Sequence, residues 1–493
     1  MAELLEPVGD AATGPTVLAR AVGHRRLLAE TRRPEWIRRR PGAPWLVVTT
    51  VCIGAFMGQL DASIVTLAVP NIQRDLQVSL SSVEWVALVY LLVLVGTVSA
   101  VGRAADMVGR KLLYTYGFGV FTVASLGCAL SPNMRWLITA RIVQAIGAAM
   151  LQANSVALIR TSMPASKLGK AIGLQGAAQA IGLALGPSVG GLLIGLGGWR
   201  LIFYVNVPAG AIGFLLGWFL LPRTQVFAPK SRFDWPGVLL IIPTVATMLL
   251  AFSQAGSLGF TNLFVLGMLV TSFILGLFFV AHERGSQSPL VDLTLFQARR
   301  FSLGIISGLL GYLVLFGVLL VTPLFLETAY HMRAEHAGLM MTIPSLALAL
   351  MAPMAGMVVN RLGTRLLTST GMSLTAIGLL ILVFSTPTLP LIAAALALTG
   401  LGLGLFIPAN NSMIASSGHG HQAGMVSGVL NMTRGIGTSL GMALAGAAYA
   451  LASGSSNLQN LSPINASHGI RVAAGLLALF SVLAAGLSAA REA

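Results

Sequence analysis

The sequence predicts an all-α integral membrane protein, and three features of the chain lead to this fold class. Of its 493 residues, 56% are hydrophobic and only 9% are charged, whereas soluble proteins average about 25% charged residues. The chain also divides into fourteen apolar segments, each near the ~20 residues that cross a bilayer as a helix. The basic residues, finally, are concentrated in alternate loops. We therefore expect fourteen transmembrane helices.

The apolar segments follow residues 1–43, a polar, arginine-rich stretch that we expect to be a basic cytoplasmic tail. This stretch has no apolar core of the kind found in cleavable signal peptides, so the first segment should act as an uncleaved anchor. Glycine and proline recur inside the segments, as membrane helices tolerate. The segments centre on Val51, Leu92, Val120, Ala149, Leu183, Ile212, Thr247, Thr271, Leu313, Ala347, Ile377, Leu398, Leu440 and Ala478.

The basic residues predict the orientation of the helices. If the tail lies inside, the inner loops hold Arg103, Arg110, Lys111, Arg160, Lys167, Lys170, Arg223, Lys230, Arg232, Arg284, Arg299, Arg300, Arg361 and Arg365. The outer loops then hold only Arg74, Arg135, Arg200, Arg333 and Arg471. This positive-inside bias predicts that both termini are cytoplasmic. It also accounts for the net charge of +15 without a nucleic-acid partner.

An internal repeat divides the chain into two halves. Gly102–Lys111 follows the second apolar segment, and the similar stretch Gly356–Arg365 follows the tenth. Their alignment predicts an N-terminal six-helix bundle over residues 44–222 and a C-terminal six-helix bundle over residues 299–493. Residues 223–298 then form a linker with two extra transmembrane helices. Two parallel halves around a site at the membrane midplane are typical of transporters.

Asp61 lies inside the first apolar segment, where an ionised carboxylate is costly unless it is paired or hydrated. At 1.5 Å per residue it is ~24 Å from the segment start near Trp45. Arg141 in the fourth segment is roughly 9–14 Å from the opposite face, which is a similar depth in a ~30 Å core. We expect the two side chains to pair directly or through a water. The alternatives are a protonated Asp61 that hydrogen-bonds between helices and an Arg141 that snorkels to the outer interface.

Longer motifs surround these two residues. They are the stretch around Asp61, the loop Gly102–Lys111, Arg141–Ala149, Gly182–Gly191, Trp199–Gly210, Phe233–Gly237 and Pro289–Phe296. Together they resemble the major facilitator superfamily, and within it the fourteen-helix drug:proton antiporter family of multidrug efflux type. Ala104, Met107 and Ala145 depart from the usual motifs. The resemblance covers nearly all of residues 45–478 and implies the major facilitator fold, with two six-helix bundles plus two inserted central helices.

The resemblance also implies roles for single residues, and each role has a plainer alternative. The proton-coupling candidates are Asp61, Arg141, Gln144, Glu327 and Glu84. A conformational latch is implied for Gly102, Asp106, Gly109, Arg110 and Lys111, against a merely solvated turn. An antiporter-type helix is implied for Gly182, Gly186, Pro187, Gly190 and Gly191, against ordinary helix packing. The substrate-cavity candidates are Gln59, Asn154, Asn410 and Arg434, against interhelical hydrogen bonding.

We therefore expect a proton-coupled antiporter that exports lipophilic or cationic drugs or toxic compounds across a bacterial inner membrane. Its expected partners are a small-molecule substrate, protons and the lipid bilayer, with a periplasmic adaptor protein as a further candidate. The sequence contains no phosphate-binding loop, activated serine or metal-ligand spacing, so we expect neither an enzyme nor a cofactor or metal. The alternatives are a proton symporter importing a small polar nutrient and a transport-dead membrane sensor. The motif Gly182–Gly191 disfavours the symporter, and the retained Asp61 and Arg141 disfavour the sensor.

Overall fold

In the computed structural model, the protein is a bundle of long helices. The structure describes residues 30–490 except 32, 39, 41, 79, 225–232, 287–288, 333, 385–387, 418–421 and 454–461. The side chains of residues 66, 67, 69, 70, 80, 81, 84, 184, 187, 188, 256, 257, 334, 335 and 360 also lie outside the description. In the described part, 13 helices are long and apolar enough to cross a membrane. The predicted fifth segment is a further helix of 33 residues, so the predicted all-α membrane fold is confirmed.

The helices follow the predicted segments in order. The first six are α1 (Ala43–Leu76), α2 (Leu80–Val108), α3 (Arg110–Ala129), α4 (Met134–Ser162), α5 (Ala165–Gly197) and α6 (Asn206–Leu220). The next two are α7 (Trp235–Leu258) and α8 (Leu263–Gly285). The last six are α9 (Arg299–Ala329), α10 (His336–Val359), α11 (Arg361–Phe384), α12 (Leu389–Ser417), α13 (Ala423–Ser453) and α14 (Pro463–Ala489). Short helices Glu35–Arg38, Leu201–Tyr204 and Leu293–Gln297 lie before α1, α6 and α9.

The two copies of the sequence repeat contain the same kind of turn. Gly109, between α2 and α3, has φ 127°, and Gly363, near the junction of α10 and α11, has φ 78°. Positive φ is strained for residues with a Cβ, so glycine is the residue that fits either turn. Most of α10 and all of α11 form one long helix, Thr342–Phe384, in which Gly363 is the residue with a non-helical conformation.

The two sets of six helices meet at several helix pairs, and two of these pairs form the most extensive contacts. α5 packs against α10, and α2 packs against α13. A Cβ added at Gly169 of α5 would lie 2.6 Å from the carbonyl oxygen of Gly356, and one added at Gly173 would collide with the carbonyl oxygen of Ala352. The α5–α10 contact is therefore a close backbone approach that requires small residues.

The inserted helices α7 and α8 lie at the side of this bundle. α7 contacts α8 and also reaches both α2 and α13. The most apolar stretch of α8 is only 17% buried, so most of its surface faces lipid in a membrane.

Candidate proton-coupling site and substrate cavity

A buried carboxylate lies among the first six helices. Asp61 of α1 is 0% exposed, and its side chain accepts three hydrogen bonds. Arg141 Nη1 donates to Asp61 Oδ2 at 2.7 Å, while Gln144 Nε2 and Asn206 Nδ2 donate to Oδ1 at 3.0 and 2.8 Å. An ionised carboxylate only accepts hydrogen bonds, so three donors fit the charged form of Asp61.

Arg141 is held from several sides as well. Its Nε donates to the carbonyl oxygen of Val86 at 3.0 Å, and its Nη1 also donates to Gln144 Oε1 at 2.6 Å. The guanidinium carbon lies 4.2 Å from the ring centroid of Tyr90 and 5.6 Å from that of Phe203. A buried guanidinium that meets a carboxylate, a carbonyl and two aromatic faces is compensated for its loss of water.

The network joins five helices around one charge. Gln144 Nε2 donates to Ser125 Oγ of α3 at 2.7 Å, in addition to its bond to Asp61 on α1. Arg141 of α4 reaches α2 through Val86, and Asn206 is the first residue of α6. Protonation of Asp61 would therefore change hydrogen bonds on α1, α4 and α6 at once.

Asn206 is a member of this site that was not among the predicted site residues. It follows the break between the short helix Leu201–Tyr204 and α6. The signal in the sequence is a single amide residue that opens an otherwise apolar segment just before Pro208. That signal does not say which neighbour the amide meets.

A cavity of about 500 Å³ lies between the two sets of six helices. This volume is in the range that holds drug-sized molecules, roughly 300–1,000 Å³. Its polar lining includes Gln59, Tyr90, Arg141, Gln152, Glu327 and Arg434, and its apolar lining includes Leu91, Leu94, Leu183, Phe316, Met341 and Met442. Asp61 is not part of the wall. Arg141 touches both the carboxylate and the cavity and so connects them.

Two of the four predicted cavity residues lie elsewhere. Gln59 and Arg434 line the cavity, as expected from their positions in apolar helices. Asn154 does not line it, because its amide donates to the carbonyl oxygen of Met150 on its own helix at 2.8 Å and is fully buried. Asn410 does not line it either, because its amide donates across to the carbonyl oxygen of Gly304 on α9 at 3.1 Å. For Asn410, the alternative of interhelical hydrogen bonding describes the structure.

Asp106 connects the two sets of helices at the end predicted to be cytoplasmic. It pairs with Arg110 at 2.7 Å, and both side chains are almost fully buried. Its Oδ1 and Oδ2 also accept the backbone N–H groups of Gly424 and Met425, each at 3.0 Å. Those amides lie in the first turn of α13, where backbone N–H groups have no partner within the helix.

The other residues of the predicted latch surround this contact. A Cβ added at Gly102 would lie 2.5 Å from the carbonyl oxygen of Gly424, so this glycine permits the close approach of α2 and α13. A Cβ added at Gly109 would meet the carboxylate of Glu30. Lys111 Nζ donates to the carbonyl oxygen of Thr31 at 2.9 Å. The corresponding residue in the second repeat, Asn360, has a side chain outside the described part.

The predicted antiporter-type helix packs against α1 beside the buried carboxylate. A Cβ added at Gly186 would collide with the Oγ of Ser63, and one added at Gly182 would lie 2.6 Å from the carbonyl oxygen of Phe56. Gly190 is buried, whereas a Cβ at Gly191 would meet no atom within 4 Å. Packing on α1 thus involves the first part of the motif. The side chain of Pro187 lies outside the described residues.

The remaining predicted acids are not equivalent to Asp61. Glu327 is exposed and lines the cavity near the end of α9. The side chain of Glu84 lies outside the described residues. Since the cavity reaches Glu327 while Asp106 binds α13 at the opposite end, the molecule is closed at the predicted cytoplasmic end and its cavity extends toward the predicted outer end.

Comparisons with known proteins agree with this architecture. Residues 51–321 and 304–491 match the family model described as Major Facilitator Superfamily. The chain belongs to this superfamily. The solved structure of the proton:xylose symporter XylE, 14% identical, covers 90% of this chain and 94% of that chain with a TM-score of 0.62, which shows the shared major facilitator fold.

Two relatives of higher identity are named as a transporter and as a multidrug resistance protein. Riboflavin transporter RibZ of Clostridioides difficile (strain 630) is 35% identical over 402 residues, which are 81% of this chain and 87% of that protein. Multidrug resistance protein Stp of Mycobacterium tuberculosis (strain CDC 1551 / Oshkosh) is 34% identical over 413 residues, 82% of this chain and 76% of that protein. The chain is therefore a small-molecule transporter of the superfamily. Its relatives support the drug:proton antiporter type that the motifs predict.

Proposed function

We propose that this protein is a proton-coupled antiporter that exports lipophilic compounds across a bacterial inner membrane. The name of the relative Stp supports efflux. The lining of the cavity supports a lipophilic substrate, because aliphatic, aromatic and methionine side chains adapt to varied apolar shapes. No cofactor takes part in this scheme, since a proton gradient supplies the energy.

The observation that carries the proposal is the contact between Asp61 and Arg141, because Arg141 also lines the cavity. A carboxylate buried in the membrane and held by an arginine is the kind of group that binds and releases protons during transport. Asp61 gives up its proton to the cytoplasm, substrate enters the cavity, and a proton from outside reaches Asp61 and favours return of the carrier. Gln144 and Asn206 hold the carboxylate in position in each cycle.

The test is transport driven by an imposed pH difference. In everted membrane vesicles with an acidic lumen, we expect the parent protein to accumulate riboflavin or a neutral lipophilic dye such as Nile red, and we expect Asp61→Asn to reduce accumulation to background. Asp75→Asn is the matched control, since it removes a carboxylate from the same helix at an exposed position. Normal accumulation by a well-expressed Asp61→Asn variant would overturn the role of Asp61.

A second candidate is a proton symporter that imports a polar nutrient, and the name of the relative RibZ favours it. The direction of transport separates the two. Riboflavin accumulation by everted vesicles requires export, whereas import would appear in right-side-out vesicles with an acidic exterior. Binding without transport in either orientation would indicate a sensor.

The proposed topology places both termini in the cytoplasm. Reporter fusions after Arg223 and Arg300 test it, because each position follows an even number of helices if residues 30–42 are inside. Both fusions should report cytoplasm, and a periplasmic signal from either would contradict the arrangement of six, two and six helices. A periplasmic adaptor protein, if one is used, should co-purify through the outer loops after crosslinking.

A further inference from the structure

Arg434 of α13 is a buried cation for which the described part of the chain supplies no counter-charge. Its side chain is 8% exposed, yet no described carboxylate or hydrogen-bond acceptor pairs with its guanidinium. Its aromatic neighbour is Tyr312, whose ring centroid lies 5.6 Å from Cζ. Arg141, by contrast, has a carboxylate, a carbonyl and two rings. An uncompensated arginine inside a membrane protein is costly and marks a site where a partner binds.

The position of Arg434 is the floor of the cavity. It follows the start of α13 by eleven residues, or about 16 Å, which is near the middle of a ~30 Å core. Besides the main cavity, it lines two small crevices that continue toward the closed end, beside Gly176 and Gln179 of α5 and Pro408 of α12. A molecule that fills the cavity to its floor therefore meets this guanidinium.

The positive and negative charges in the described part of the cavity wall lie at different ends of the cavity. Arg141 is neutralised by Asp61, which leaves Arg434 as a net positive charge at the floor and the exposed Glu327 near the outer end. The neighbouring hydroxyl of Tyr90 is buried and has no hydrogen-bond partner among the described residues, so it is a second donor without an acceptor. Apolar side chains such as Leu94, Phe316 and Met442 cover the walls between the two ends.

We propose that Arg434 binds an anionic oxygen group of the substrate, so that the preferred substrates are amphipathic organic anions with a flat apolar body. A carboxylate, sulfonate or phenolate at the floor satisfies the guanidinium through charge-assisted hydrogen bonds, and the apolar body occupies the rest of the cavity. This inference rests on the proposed function, because it assumes that the cavity is where substrate binds. It replaces the sequence-based expectation of cationic substrates, since a cation would lie against an uncompensated positive charge.

The test compares two xanthene dyes of similar shape and opposite charge, fluorescein and tetramethylrosamine. Binding to purified protein in detergent at neutral pH is followed by fluorescence anisotropy. We expect the parent to bind fluorescein more tightly than tetramethylrosamine. Arg434→Gln should weaken fluorescein binding roughly 10- to 100-fold and leave tetramethylrosamine unchanged or tighter, since one charge-assisted interaction is lost. Arg434→Lys should retain most of the fluorescein affinity, and Asp75→Asn, at an exposed position that does not line the cavity, should retain all of it.

The outcomes separate a binding role from a structural one. Equal loss of both dyes in Arg434→Gln would show that the arginine only supports the fold and would overturn the proposal. Parent protein that prefers tetramethylrosamine, or that binds no fluorescein, overturns it even if the variant fails to fold. If fluorescein binds through Arg434 but Asp61→Asn still exchanges substrate for protons, the proposed coupling fails while this inference stands.

Discussion

The contact of Asp106 with α13 gives a prediction whose size follows from the geometry. Asp106→Asn removes the charge that accepts the Gly424 and Met425 amides. An asparagine keeps one acceptor oxygen and turns its NH2 toward the other amide, so at least one charged hydrogen bond of ~1.5–3 kcal/mol is lost. That bond joins the two sets of helices only when the cytoplasmic end is closed. Asp106 and Arg110 belong to the same set of helices. Loss of their ion pair therefore costs the closed and the open conformation about equally, and it hardly changes the equilibrium between them.

The expected result is a shift of roughly 10- to 150-fold toward the conformation that opens to the cytoplasm. The assay uses a variant without Cys52 and Cys128 that carries Ala352→Cys, because Ala352 is fully buried in the α5–α10 contact. The labelling rate by a thiol reagent applied from the cytoplasmic side should rise by that factor, since labelling is proportional to the open population when opening is fast.

Two further variants make the result specific. Gly424→Ala leaves every charge in place but adds a Cβ that would lie 2.5 Å from both Asp106 Oδ1 and the carbonyl oxygen of Gly102, so it should also increase labelling. Asp75→Asn should not, because Asp75 lies at the other end of the molecule. Unchanged labelling in a folded Asp106→Asn protein would refute the latch and leave Gly102–Lys111 as a simple turn.

Two other predictions concern packing and pH. Gly186→Ala should impair transport and lower thermal stability, because its Cβ collides with Ser63 Oγ, whereas Gly191→Ala on the same helix has free space and should behave as the parent in both assays. Hydrogen bonds from Arg200 and Trp199 lower the pKa of the Asp75 carboxyl in the folded protein. The stability that they contribute is therefore fully present above the pKa of Asp75 in the unfolded chain, and it is lost as the pH falls through the lowered pKa of the folded protein. Because the pair is exposed, Asp75→Asn should cost no more than about 1 kcal/mol, with no change between pH 5 and 8 in unfolding scans; a cost that grew from pH 8 to pH 5 would contradict this sign.

The sequence predicts the helices well because each must satisfy its own backbone within the bilayer. Length and apolarity therefore locate the segments without knowledge of tertiary contacts. The depth of a side chain follows from the fixed rise per residue, so Asp61 and Arg141 are expected at a similar level, and the structure places them 2.7 Å apart. The rotation of each helix about its own axis, in contrast, does not follow from the sequence. Asn154 and Asn410 are at plausible depths, but their amides point to a carbonyl on the same helix and on α9 instead of the cavity.

The sequence also does not reveal which residues on different helices contact each other. Asn206 and Arg434 are both polar residues within apolar segments, and the sequence alone does not say which residues of other helices they meet. In the structure Asn206 completes the shell of Asp61, while Arg434 meets no acid in the described part. The difference arises from which helices face each other, and this depends on the packing of small residues such as Gly182 against α1.

The two proposals together determine how proton and substrate influence each other. A proton on Asp61 removes the counter-charge of Arg141, so the wall becomes more positive and attracts an anion at Arg434 more strongly. Linkage is reciprocal, so this electrostatic effect alone makes an anion favour proton uptake. Antiport of anions then requires that substrate binding favour a conformation in which Asp61 loses its proton. This preference must exceed the electrostatic attraction between the anion and the proton.

Whether protons are released or taken up when fluorescein binds is measured with a pH indicator in weakly buffered protein. Proton release, absent in Asp61→Asn, is expected for the antiporter. Proton uptake would mean that anion and proton bind together, which refutes antiport and makes the symporter the function of the same site.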